Sequence, residues 1–123
     1  MNKEKQKIAI AEACGWSNLQ DSDYKPFGKA QLVGKHPGGS AQNLLRVPDY
    51  LKDLNAMHEA EETLTEHEWN QMFEWLIHIC WRDANTTERH GIGKQKALSP
   101  SRATAAQRAE AFLRTIGKWE DDK

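Results

Sequence analysis

Apolar positions fall into four runs with helical spacing, separated by two stretches in which no period holds. The first run covers Lys3 to Cys14, where Ile8 with Ala11, and Ile10 with Ala13 and Cys14, recur three or four residues apart. Gly15 follows where a helix end takes a residue of positive φ, and Trp16 is placed to fold back on Ile10 or Ala11. The second run opens at Pro48-Asp49, with Asp49 read as the N-cap, and extends to about Leu64. Tyr50, Leu54, Met57 and Leu64 form its stripe, with Leu51 and His58 beside it. Thr65-Glu66-His67-Glu68 spells a capping box, so a third helix restarts with almost no loop. On it Trp69, Met72, Phe73, Leu76, Ile79 and Cys80 share a face, and Trp75, Ile77 and Trp81 widen the apolar arc past half the circumference. A helix this apolar needs covering on two sides, as a central element or by another chain. The fourth run begins with a second capping box, Thr104-Ala105-Ala106-Gln107, and passes through Ala109, Phe112, Leu113 and Ile116 to Gly117, with Trp119 beyond.

Between the helices, residues 17–47 are punctuated by Pro26, Gly28, Gly34, Pro37, Gly38 and Gly39, and only Ala30 to Val33 reads as a short strand. Residues 83–103 also lose periodicity, and both stretches are short of β-branched and aromatic residues. The pattern predicts one domain over 1–123, α+β in class, with about four helices and a small sheet, reduced or absent.

Composition narrows the function classes. The chain has 123 residues, 17 Lys+Arg against 18 Asp+Glu, and a formal charge of −1. Mean hydropathy is −0.83. These values exclude a histone-like polycation and a chain of membrane spans, and two cysteines do not make a disulfide scaffold. Cys14 and Cys80 both sit in apolar patterns and read as reduced, buried thiols. The apolar stretch Ile8 to Ala11 meets Glu12 too soon to be a secretory leader, so the expected location is the cytoplasm. Near-neutrality hides opposed blocks: residues 49–68 carry −6 and residues 88–118 carry +5. The basic block, Arg89, Lys94, Lys96, Arg102, Arg108, Arg114 and Lys118, is suited to pair with the acidic one inside the molecule or across a homodimer.

Reactive chemistry finds little support. Gly93-Lys94-Gln95 lacks the first glycine and the hydroxyl of a phosphate loop, since Glu88 and Gln95 stand in those places, and Gly38-Gly39-Ser40 reads as a turn. His58, Glu59 and Glu62 supply ligand atoms on one helix face but fall short of a metal set, and the other histidines form no pair at four-residue spacing. His78 is two positions from Cys80, on a different helix face. The expectation is a protein without enzyme activity, cofactor or metal. The chemical alternative is nucleic-acid binding through Arg89, Lys94, Lys96 and Arg102 with Trp81 for stacking, opposed by the acidic second helix. A further alternative is a sponge for a small nucleotide signal, built from the glycine-bearing loops and a tryptophan.

Three blocks, Ile8 to Trp16, Pro48 to Glu61 and Ala103 to Trp119, together resemble the phage ABA sandwich domain family of small phage and prophage proteins. The resemblance implies helices packed on both sides of a small sheet and brings no catalytic residues with it. It also implies an accessory protein acting in the host cytoplasm, and most concretely a binder that inhibits a host defence system in the manner of an anti-CRISPR. On that reading Asp53, Glu59, Glu61 and Glu62 imitate nucleic-acid phosphates toward a basic host effector, and Trp75 and Trp81 supply apolar contact.

Overall fold

The computed structural model describes residues 1–22, 31–37, 45–84 and 103–121. Helix α1 spans Lys3–Ala13 and starts on Asn2, whose side chain accepts from the Lys5 amide at 2.8 Å. It ends as the sequence predicts. Gly15 has φ 95°, its amide donates to the Glu12 carbonyl, and the Trp16 amide donates to Ala11 at 3.0 Å. This double bond pattern satisfies the last carbonyls and turns Trp16 into the core.

Three strands follow, all inside the stretch read as irregular: β1 (Ser17–Ser22), β2 (Gln31–Lys35) and β3 (Leu45–Arg46). They form one antiparallel sheet in the order β1-β2-β3, with Gln20 opposite Val33 and Val33 opposite Arg46. The strand expected near Ala30 to Val33 is β2. β1, of sequence Ser-Asn-Leu-Gln-Asp-Ser, has little intrinsic strand preference and is held by its partner, with a register break between Ser17 and Gln20 where Asn18 takes φ 51°. Gly34 lies under this break, and a Cβ there would stand 2.6 Å from Leu19 Cδ2.

Helix α2 is Leu54–Glu61, later and shorter than the expected Asp49 to Leu64. Asp49 uses its side chain on the Leu51 amide and its carbonyl on the Lys52 and Asp53 amides, closing a turn of its own. Asp53 is the true cap, accepting from the Ala56 amide at 3.2 Å. The buried face moves accordingly to Ala56, Met57, Ala60 and Glu61, while Leu54 and His58 are exposed. Tyr50 and Leu51 are buried, but in the turn ahead of the helix.

Helix α3 (Glu66–Asp83) and helix α4 (Ala105–Thr115) both begin on complete capping boxes, Thr65 with Glu68 and Thr104 with Gln107. α4 ends as α1 does: Gly117 has φ 73° and the Lys118 amide reaches back to Leu113 at 2.8 Å. α4 is the hub, touching α1, α2 and α3, while the sheet meets α1 through β1. Ile10, Met57, Met72, Leu76, Phe112 and Leu113 are the largest fully buried side chains of the core among the described residues. Among the described residues this is a small α+β domain with four helices and a three-stranded sheet, and no helix is long and apolar enough to cross a membrane. Cys14 and Cys80 are free thiols, both pushed upward in pKa chiefly by burial.

Candidate interaction surface

α3 turns Met72, Leu76, Ile79 and Cys80 into the core and leaves the rest of its apolar arc outside. Trp69, Phe73, Trp75, Ile77 and Trp81 are between 39% and 44% exposed. Among the described residues the core covers the arc on one side. Two surfaces result, which meet at Trp81. On one flank Trp69, Phe73, Ile77 and Trp81 follow each other at four-residue spacing, with the Trp69 and Phe73 rings 5.9 Å apart. On the other flank Trp75 opens onto a groove of about 900 Å³ between α3 and α4, lined among others by His78, Trp81, Arg82, Glu110 and Arg114.

An ion-pair chain floors this groove. Arg82 holds the Glu110 carboxylate with two bonds of 2.7 and 2.8 Å and also grips Asp83. Arg114 donates to Glu110 at 2.8 Å and to Asp121 at 3.3 Å, and its guanidinium lies 5.0 Å from the Trp75 ring and 5.1 Å from Trp119. Burial pushes the Glu110 pKa up, but the hydrogen bonds and charges of Arg82 and Arg114 outweigh it and hold the carboxyl below its usual range. Asp83 is likewise held low, first by Arg82 and then by Gln107. Stacked and bidentate guanidiniums form the floor of the groove, and Trp75 forms a wall of it.

The sequence-named residues divide. Asp53, Glu59 and Glu62 are exposed, and Glu62, the C-cap of α2, follows Glu59 at three-residue spacing. Glu61 does not belong with them. It is 4% exposed and its carboxylate is bonded to Arg108 of α4, because the residue two positions after Glu59 faces the core side of the helix. That pair joins the acidic block to the basic block within one molecule. Trp75 and Trp81 are exposed and border the same groove. Arg89, Lys94, Lys96, Arg102 and the glycine-bearing segments 38–40 and 91–93 lie outside the described residues. Arg82, Glu110 and Arg114 were not singled out as a site by the sequence, although Glu110 and Arg114 stand at the four-residue spacing that lets them meet. Among the described residues no group of three or more His, Cys, Asp or Glu side chains is placed to hold a metal ion.

Fold and surface together define a small α+β domain that presents an apolar helix flank and a Trp-walled groove. No protein-family model, curated protein or solved structure matched the chain.

Proposed function

We propose that the chain is a small phage accessory protein that binds a host protein and inhibits it by contact, without catalysis, with a host defence system as target in the manner of an anti-CRISPR. The observation that supports contact as the mode of action is the large apolar surface of α3: four aromatic rings and Ile77, each about two-fifths exposed on one helix of a small domain. Exposed carboxylates at Asp53, Glu59 and Glu62 suit a basic, nucleic-acid-binding effector in the host cytoplasm. The family resemblance supplies the phage setting.

The test is phage survival in cells that carry a defence system and express the chain. Protection is expected from the unmodified protein and is lost when Glu59→Lys and Glu62→Lys are combined, with the unfolding midpoint unchanged because both positions are exposed. Undiminished protection by the double variant would refute the mimicry of phosphates.

A further inference from the structure

We infer that the part of the α3–α4 groove formed by Glu74, Trp75 and His78 is a receptor for a guanidinium group, an arginine side chain presented by a basic partner protein. The inference rests on the reading of α3 as a contact helix and names the side chain that this contact takes. Its three groups lie within two adjacent turns of one helix. Trp75 is 39% exposed, the exposed Glu74 lines the same groove, and the His78 ring stands 6.4 Å from the indole. Glu74 makes no hydrogen bond or ion pair with any of the described residues. The same helix pair already holds a guanidinium by this combination of groups. Arg114 lies 5.0 Å from the Trp75 ring while its Nε donates to the Glu110 carboxylate at 2.8 Å. An indole beside a carboxylate suits the flat cation of arginine, which stacks on its face and donates hydrogen bonds in its plane at once, a geometry that a lysine ammonium does not match.

Charge selects the occupant. Arg82 and Arg114 are bonded to three carboxylates, those of Asp83, Glu110 and Asp121, and Glu74 adds a fourth. Four acidic groups against two basic ones repel an anion, and ionised side chains along the lining make an apolar occupant costly. The volume of about 900 Å³ is within the range of ligand sites and holds an arginine side chain with the peptide that carries it. Nucleic-acid-binding surfaces present arginine, so the class of effector proposed above carries the required group. Trp81 and Arg82, farther along α3, are not needed for this contact.

Nuclear magnetic resonance of the isotope-labelled full chain tests this, with argininamide as the probe at constant ionic strength. The five tryptophan indole signals are assigned by changing each tryptophan to phenylalanine in turn. The Trp75 signal is expected to move and saturate with a dissociation constant of about millimolar, because one cation–π contact and one exposed ion pair are individually weak. The Trp69 signal, on the other flank of α3, stays in place. Lysinamide binds about threefold more weakly, Glu74→Gln weakens argininamide by about the same factor, and Glu74→Lys abolishes the response. Circular dichroism of both variants reports the fold. A Trp75 signal that does not move, a Trp69 signal that moves as far, a Glu74→Lys chain that binds as tightly, or lysinamide binding as tightly as argininamide would each overturn the inference. A Trp75 response without phage protection removes the host reading and leaves the guanidinium site, and protection without the response does the reverse.

Discussion

Replacing Glu61 with Ala removes a carboxylate that α2 carries into the core against Arg108. Their side chains are 6% and 11% exposed, so neither charge has water as a ready alternative partner. Taking the carboxylate away deprives Arg108 of a buried charge-assisted hydrogen bond, which costs about 1.5–3 kcal/mol. At an unfolding entropy of about 2.1 cal/mol/K per residue, 123 residues give roughly 0.26 kcal/mol/K. The midpoint should therefore fall by about 6–12 °C. Glu59→Ala, two positions away but exposed, should move it by no more than about 2 °C, since surface changes stay near 0.5 kcal/mol. Differential scanning calorimetry on the two variants and on Glu61→Ala with Arg108→Ala gives the comparison. Arg108→Ala measured beside them closes a cycle, and the double variant loses less than the sum of the two single changes because they remove one shared bond. Equal midpoints for Glu61→Ala and Glu59→Ala would refute the buried pair as a structural element. The result also guards functional work: loss of inhibition on changing Glu61 reports unfolding and not a lost contact.

The groove floor predicts an acid limb. The pKa values of Glu110 and Asp83 are below the ordinary 4.5 and 3.8 in the folded state, so their contribution to stability is complete above those values and is lost as pH falls through the lowered ones. Denaturant unfolding between pH 6 and about pH 3 should show this loss, and Glu110→Gln should flatten it while lowering stability at neutral pH; a parallel curve for the variant would contradict the assignment. Gly34→Ala sets a Cβ 2.6 Å from Leu19 Cδ2 and 3.0 Å from the Ser17 carbonyl oxygen, which should cost about 1–3 kcal/mol in the same assay, and a neutral outcome would show that β1 shifts freely over β2.

Local chemistry made the helix ends readable. Thr65 with Glu68 and Thr104 with Gln107 each satisfy amides within four residues, and Gly15 and Gly117 each close the preceding turn, so no distant contact is needed to place them. The start of α2 was not readable for the same kind of reason. Asp49 and Asp53 both have a capping side chain, and Asp49 is diverted to the Leu51 amide. β1 and β3 were missed because their residues have no strand preference of their own and depend on pairing with β2. Of the surface, the surplus width of the α3 arc was visible in Trp75, Ile77 and Trp81. What escaped was the partition of charge. Glu61 looks like its neighbours until Arg108, 47 residues on, is placed beside it. Arg82 joins Glu110 across 28 residues, which no spacing rule within one helix can announce.

The hub position of α4 has a consequence for how the chain is made. Translation delivers α1, the sheet strands, α2 and α3 before α4, the helix that touches three of those helices and carries the buried Phe112 and Leu113. At about 5–20 residues per second, α3 waits seconds between its own synthesis and the arrival of its cover. During that interval Met72, Leu76 and Ile79 stand open together with Trp69, Phe73 and Ile77, on a helix apolar over more than half its circumference. Docking of one eleven-residue helix then closes this surface.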